Sequence, residues 1–282
     1  MQTFNGKTPV YGVIGDPIGH SLSPQIHGYF ADLCRINMAY VPFHVKNENI
    51  PDAIKGAHAL GIKGLNVTVP HKKAVIPHLV KLDKTAEKIG AVNTLVWSDD
   101  GYIGYNTDYA GIKKTVASKG LTFKDKSVII TGAGGSAYPA AVSAADGGAK
   151  KIALVNRTKE NAENLASHVK SYYNIEMEVT DTAASGFDIF IQTTTVGFGA
   201  LEGQSPVPDD YSFDGTQLAF DIIFTPQETA FLHHAKKSGV PNVINGFPML
   251  VYQAAESFGL WQENIPNEDA HVTELEKRLY IN

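Results

Sequence analysis

The sequence predicts an α/β protein of two domains, in which parallel sheet is covered by helices on both faces. Three observations carry that prediction. The chain has 282 residues, and at roughly 100 to 200 residues per domain this suits two ordinary domains better than one large one. Short β-branched runs alternate with amphipathic stretches almost from end to end, as in strands joined by crossover helices. One segment, Ser127 to Asp146, passes from a buried strand through a glycine-rich loop into an alanine-rich helix, the opening of a βαβ unit.

Val10 to Ile14 is the first strand by its β-branched run. A helix follows from Ser23: serine is a favoured N-cap, Pro24 suits the first helical position, and Ile26, Phe30, Leu33 and Cys34 share one face. Ala39 to His44 is a second strand, Pro51 to Leu60 a helix and Gly64 to Val69 a third strand. Asn93 to Ser98 pairs antiparallel with Tyr102 to Tyr105, because Asp99-Asp100-Gly101 has hairpin-turn chemistry. A second block begins near Thr107, whose hydroxyl can cap a helix running to about Lys119. Strand Ser127 to Thr131, loop Gly132 to Gly135, helix Ser136 to Asp146 and strand Ile152 to Val155 form the βαβ unit. Helix Lys159 to Tyr172 and strands Glu176 to Thr180, Ile189 to Thr193 and Leu218 to Asp221 continue the alternation, followed by helix Thr229 to Ser238 and strand Val243 to Asn245. Helices Met249 to Phe258 and Glu268 to Leu279 close the chain. This rhythm places the boundaries near 107 and 244, giving one domain of 1–107 to which 244–282 returns and another of 108–243.

Composition narrows the function. Hydrophobic residues are 43% and charged residues 19% of the chain, enough apolar material for cores and too little charge bias for disorder. With 24 Lys and Arg against 29 Asp and Glu, the net charge of -5 offers no general field for nucleic acid or anionic membrane, so an anionic ligand needs a local site. Cys34 is the only cysteine, which forbids an intrachain disulfide and a cysteine-based zinc site. His20, His27, His71, His78, His233 and His234 form no metal-ligand spacing. No cationic leader precedes an apolar stretch after Met1 to Lys7, and no segment reaches the ~18 apolar residues of a membrane span. The expectation is a soluble cytoplasmic protein, monomer or homodimer, that handles a small molecule without a metal.

The chemistry is concentrated at predicted strand ends. Gly132-Ala133-Gly134-Gly135-Ser136-Ala137 lies between strand and helix, where absent side chains let backbone amides and the helix N-terminus meet a pyrophosphate. The alternative is a tight turn alone. After the next strand, where an NAD site places an acid on the ribose, stands Asn156-Arg157-Thr158. Arg157 can pair a 2′-phosphate bidentately, so NADP is preferred to NAD; a solvated arginine is the bland reading. Ser21 and Ser23 present two hydroxyls at a helix start, suited to a carboxylate or simply to capping. Asn66-Val67-Thr68-Val69-Pro70-His71-Lys72, Asn93-Thr94 and Asn106-Thr107-Asp108 bring amide, hydroxyl, ammonium and carboxylate groups to three strand ends. Ligands of open α/β sheets bind beyond carboxyl ends of strands, so these groups can converge there.

Together these stretches resemble the shikimate dehydrogenase family over essentially the whole chain. The resemblance also takes in Gly90-Ala91-Val92, Thr193-Thr194-Thr195-Val196-Gly197, Asp221 with Pro226 and Thr229, and Met249-Leu250 with Gln253. It implies an N-terminal α/β substrate domain, a Rossmann-type doubly wound NADP-binding domain, and C-terminal helices returning to the first domain. It implies reversible reduction of 3-dehydroshikimate to shikimate with NADPH, a step toward chorismate and the aromatic amino acids. Ser21 and Ser23 would hold the carboxylate, Asn66, Thr68, Asn93, Asp108 and Gln253 the ring hydroxyls, and Lys72 with Asp108 would be the catalytic pair. The glycine loop, Asn156, Arg157, Thr158, Thr193, Thr194, Gly246 and Met249 would hold the cofactor. Residue chemistry agrees, since an ammonium can stabilise the oxygen that turns anionic as hydride arrives and can donate its proton.

The chain also departs from the family pattern. Tyr138 stands where many members have arginine after the glycine loop, Phe224 replaces the tyrosine of Asp-x-x-Tyr-x-Pro, Pro248 interrupts Gly-x-Gly-Met, and Phe198 replaces a common methionine. These changes keep two alternatives in view: a paralogue acting on quinate or an amino analogue, and an NADP-binding regulator without turnover. Retained Lys72 and Asp108 oppose the second.

Overall fold

The β-branched runs pair into two separate six-stranded sheets in the computed structural model, which describes residues 4–262, 265 and 267–280. The chain divides into two compact units, Met1–Asp108 with Val251–Asn282, and Tyr109–Leu250.

In the first unit, β1 (Val10–Gly15), α1 (Ser23–Cys34), β2 (Ala39–His44), α2 (Ile50–Ala59) and β3 (Gly64–Val67) alternate as the periodicity predicts. Strand β3 stops before the predicted Val69, at the approach to Pro70, whose nitrogen has no proton for a ladder. A short strand β4 (Lys81–Leu82) and helix α3 (Lys84–Ile89) follow, both missing from the sequence-based expectation. Asp83 starts α3 by accepting from Thr85 N–H at 3.0 Å and Ala86 N–H at 2.8 Å, an N-cap signal that the sequence does carry. β5 (Thr94–Ser98) and β6 (Gly101–Tyr105) form the expected antiparallel hairpin. The sheet order is β2-β1-β3-β5-β6-β4, with β1 parallel to both neighbours and β5 antiparallel to β3. Ile14, Leu65, Val67, Leu95 and Tyr102 pack with Ile50 and Ile54 of α2, and burying each such side chain contributes about 1.5 to 3 kcal/mol.

The start of α1 corrects the sequence reading. Leu22, not Ser23, occupies the N-cap, and it makes no side-chain cap bond. Ser21 supplies the local tie instead, its Oγ accepting from Ser23 N–H at 3.3 Å, while Pro24 sits in the first turn as expected. Ile26 and Phe30 are fully buried, but Leu33 is 43% exposed, so the apolar stripe is narrower than predicted.

Helix α4 (Asp108–Ala117) leads into the second unit. There β7 (Ser127–Thr131), α5 (Ala137–Asp146), β8 (Lys151–Val155), α6 (Lys159–Lys170), β9 (Glu176–Thr180), β10 (Ile189–Gln192), β11 (Leu218–Asp221), α7 (Ala230–Lys237) and β12 (Asn242–Ile244) follow. All pairs are parallel in the order β12-β11-β10-β7-β8-β9. The order reverses at β7 and β10, and such a switch point at the carboxyl edge is where doubly wound sheets bind ligands. Ile129, Phe190, Phe213 and Phe231 form much of a core cluster in this unit. Helix α8 (Phe247–Trp261) begins in the second unit and ends in the first, and α9 (Glu268–Tyr280) closes the described chain. No helix among the described residues is long and apolar enough to cross a membrane.

Candidate active site

Strand register assembles the polar site of the first unit. Asn66 on β3 stands opposite Thr94 on β5, and Thr94 opposite Tyr105 on β6, from which the chain runs through Asn106 and Thr107 into α4. Val67 N–H donates to Asn93 O at 2.8 Å, and Asn93 N–H donates to Tyr105 O at 3.0 Å, so the three strand ends lie side by side. Lys72 is fixed beside them because its carbonyl accepts from Val92 N–H at 2.8 Å. The preceding His71 is buried and donates from Nε2 to Val45 O at 2.6 Å, anchoring the turn from the other side.

The Lys72 ammonium donates to Asp108 Oδ2 at 2.6 Å, with side-chain exposures of only 12% and 6%. Asp108 Oδ1 accepts from Asn93 Nδ2 at 2.9 Å, and Asn93 Oδ1 accepts from Thr107 N–H at 2.7 Å. Gln253 Oε1 reaches Asn93 Nδ2 at 3.3 Å and Thr107 Oγ1 at 3.4 Å. The hydroxyls of Thr94, Thr107 and Ser257 lie 2.8 to 3.3 Å apart, and Asn66 Nδ2 donates to Ser257 at 3.0 Å. Asn66 Oδ1 in turn accepts from the Tyr40 hydroxyl at 2.6 Å. Burial pushes the Tyr40 phenol well above its ordinary range, partly offset by Ser23, so it stays a neutral donor. One hydrogen-bonded chain, buried over most of its length, therefore runs from Lys72 to Tyr40, and such a network holds each side chain in one orientation.

Of the predicted site residues, Lys72, Asp108, Asn93, Asn66 and Gln253 belong to this chain, while Ser21 and Ser23 are tied to each other, Ser21 Oγ accepting from Ser23 N–H at 3.3 Å. Thr68 is placed differently: its N–H donates to Ile14 O at 3.0 Å, and its methyl covers Gly15, where a Cβ would come within 2.5 Å. Sequence reasoning missed Tyr40 and Ser257. The latter lies one helical turn after Gln253 on α8, so helical spacing was a usable signal; Tyr40 on an edge strand gave none. Beneath Tyr40, His27 stacks at 4.3 Å and 11°, fully buried, with neither ring nitrogen partnered among the described residues. Burial lowers its pKa to about 3, with weak opposition from the Asn66 side chain.

In the second unit, Gly132 takes φ +104°, and a Cβ there would meet Thr193 Oγ1 at 2.6 Å, so the glycine loop lies directly against the loop after β10. Gly134 faces open space and is exposed, leaving room for a phosphate at the α5 end. Ser136 occupies the N-cap without a side-chain cap bond, and Ala137 N–H donates to Gly134 O at 3.0 Å. Ala133 and Gly135 are half-buried in the same turn. Asn156 Nδ2 donates to Thr158 O at 2.8 Å, shaping the turn that leaves Arg157 exposed. Thr194 is half-buried beside Thr193, and Met249 is buried in the first turn of α8. Gly246 is dictated by backbone, since a Cβ would lie 1.9 Å from Ile222 O.

Asp221 ends β11 fully buried, accepting from Ile223 N–H at 3.0 Å and Thr229 Oγ1 at 2.7 Å; burial raises its pKa to about 7, partly opposed by those bonds. Tyr138 is buried with its ring 5.5 Å from His168, so it packs between α5 and α6. Pro248 is the second residue of α8, where a missing amide proton costs nothing. Among the described residues, no three His, Cys, Asp or Glu side chains are placed to hold a metal ion together.

Comparison with known proteins matches both units. Residues 13–95 match the shikimate dehydrogenase substrate binding domain, and 114–201 match the shikimate / quinate 5-dehydrogenase family. A shikimate dehydrogenase (NADP(+)) from Methanosphaera stadtmanae is 37% identical, covering 98% of this chain and 99% of its own. A shikimate dehydrogenase solved in complex with NADP+ superposes with a TM-score of 0.89 at 36% identity, over 99% of this chain and 98% of that one. The 5-ketofructose reductase of a Gluconobacter species superposes at 0.86 with 28% identity, over 98% and 100%. Near-complete coverage at this identity, joined to both domain matches, establishes the relationship: this chain belongs to the shikimate dehydrogenase family.

Proposed function

We propose that this chain catalyses the reversible, NADP-dependent reduction of 3-dehydroshikimate to shikimate. The observation that carries the reading is the Lys72 and Asp108 pair at 2.6 Å, fixed by Asn93 at the end of a chain of hydroxyl and amide groups that reaches Tyr40. A polyhydroxylated ring acid needs such a surface: donors and acceptors for several hydroxyls, and a separate cradle for a carboxylate.

In this reading the unit Met1–Asp108 with Val251–Asn282 takes the substrate, and Tyr109–Leu250 takes NADP. Ser21 and Ser23 hold the carboxylate, while Asn66, Thr68, Asn93 and Gln253 orient the ring. The Gly132 to Ala137 loop receives the pyrophosphate, and Asn156, Arg157 and Thr158 the 2′-phosphate. Thr193, Thr194, Gly246 and Met249 complete the cofactor side. When bound, NADPH supplies the hydride to the carbonyl carbon. The Lys72 ammonium meets the carbonyl oxygen, stabilises its growing negative charge and gives it a proton. Asp108 keeps the ammonium aimed and accepts from a neighbouring ring hydroxyl, and Asn93 keeps Asp108 from turning away. In the reverse direction the Lys72 amine takes the proton of the shikimate hydroxyl as hydride leaves. The reaction belongs in the cytoplasm, for which the single cysteine is suited, with the chain acting as a monomer or homodimer on small molecules.

Phe224 and Pro248 motivate a second reading, a quinate-preferring enzyme. Purified protein followed at the nicotinamide absorbance, with shikimate or quinate and NADP or NAD, separates them. Shikimate with NADP should dominate. Quinate dominance selects the second reading, and NADP binding with no turnover on either acid rejects both.

A further inference from the structure

Gln192 ends β10 after three apolar residues and is itself completely buried. A buried primary amide is costly unless its oxygen and both protons find partners. Here all of them do. Oε1 accepts from Thr194 N–H at 2.5 Å and from Thr131 Oγ1 at 3.2 Å, while Nε2 donates to Thr194 O at 3.2 Å and Val196 O at 2.9 Å. The fixed backbone groups dictate which end of the amide is which. Thr131 is the residue before Gly132, and its carbonyl accepts from Thr193 N–H at 2.9 Å and Thr193 Oγ1 at 2.6 Å. One side chain thus folds the segment after β10 back on itself and clamps it to the strand that launches the glycine loop. Both segments lie at the switch point of the sheet.

We infer that Gln192 is a positioning residue for NADP: its amide sets the Thr193–Val196 segment against the glycine loop, and thereby fixes the cofactor's seat without touching the cofactor. The inference rests on the reading of this unit as the NADP-binding one. It differs from a role in stability alone, because three of the four bonds end on backbone groups of the segment 194–196 and the fourth on Thr131, the strand residue that leads directly into the glycine loop.

Two variants test it, with NADP affinity measured by calorimetry and steady-state constants for both substrates. Gln192→Leu keeps the bulk and removes every bond. Dissociation and Michaelis constants for NADP should rise about tenfold, the scale of one or two net hydrogen bonds. Turnover at saturating NADP and the Michaelis constant for shikimate should stay within about twofold, and amide exchange should quicken in 193–197. Thr131→Val removes only the hydroxyl donated to Gln192 and should weaken NADP about threefold, which decides the matter if Gln192→Leu fails to fold. Unchanged NADP binding by both variants, beside normal binding by the unaltered chain, would overturn this inference alone. Equal losses for NADP and shikimate would overturn it too. An unaltered chain that binds no NADP would overturn the parent reading and this inference with it.

Discussion

Replacing Lys72 by Met and Asp108 by Asn, singly and together, probes the proposed chemistry most finely. Lys72→Met keeps length and removes charge. Asp108 then retains one donor, Asn93 Nδ2 at 2.9 Å, so substrate orientation through Asp108 should largely survive. What disappears is the ammonium at 2.6 Å from the carboxylate, the only group of the network able to carry positive charge to an incipient alkoxide. Loss of a positioned proton donor costs about 10² to 10⁴ in rate, or roughly 2.7 to 5.4 kcal/mol of transition-state stabilisation. Turnover should therefore fall by at least about 10² with the shikimate Michaelis constant little changed. Asp108→Asn should damage both constants, because the ammonium loses its aim and the ring hydroxyl its charged acceptor. The double variant should be no slower than about the worse single, as for residues that act as a unit. The assay is initial-rate NADP reduction by shikimate, with retained NADP binding as the check on folding. Near-normal turnover of folded Lys72→Met would remove Lys72 from the mechanism, and additive losses would show that the pair is not a unit.

Changing Ser21 and Ser23 together to Ala should raise the shikimate Michaelis constant by about tenfold or more while NADP affinity holds, as expected for lost hydrogen bonds to a charged group. A carboxylate-free analogue should be spared; an equal loss on it contradicts the assignment. Because Leu22 holds the N-cap, the stability change should stay below about 0.5 kcal/mol, the low end of cap effects, in denaturant melts. Arg157→Ala should weaken NADP by roughly 1.5 to 3 kcal/mol in calorimetry and leave NAD nearly unaffected, and equal weakening of the two would show that Arg157 does not read the phosphate. His27→Phe tests the buried imidazole: the folded ring stays neutral down to about 3, whereas the unfolded one takes a proton near 6.5, so this residue's contribution to stability is lost as pH falls below 6.5. At about pH 5 that loss is roughly 2 kcal/mol relative to about pH 8, and the phenylalanine variant should escape it. A stability difference between variant and parent that ignores pH in denaturant melts would contradict the burial argument.

The parallel unit was legible because its signals are local and redundant. Strand, glycine loop, helix and strand follow one another from Ser127 to Val155, and the structure moves the element ends by only a residue or so. The polar network was partly legible for the same reason: Asn66, Lys72, Asn93 and Asp108 each sit beside a strand end that β-branched residues mark. Ser257 and Tyr40 were not read because their partners lie far off in sequence, 191 and 26 residues from Asn66, and only the fold brings them together. Gln192 escaped because a polar residue closing an apolar strand gives no sign of what it will hold. The Ser23 N-cap failed on a local matter, since Ser21 can tie the turn one residue earlier and Pro24 fits the first turn with either residue as cap. The short helix after Asp83 was lost to a neighbourhood of lysines that hides its apolar face, Ala86 and Ile89.

Deuteride transfer tests the central claim most directly. Purified chain is given 3-dehydroshikimate with NADPH carrying deuterium on the transferable face of C4, and the product is read by mass and by NMR. The account predicts shikimate with one deuteron on the former carbonyl carbon, formed by the parent chain and reduced by about 10² or more in Lys72→Met. Binding of both partners without deuterium in the product, or equal transfer by the two proteins, would contradict it.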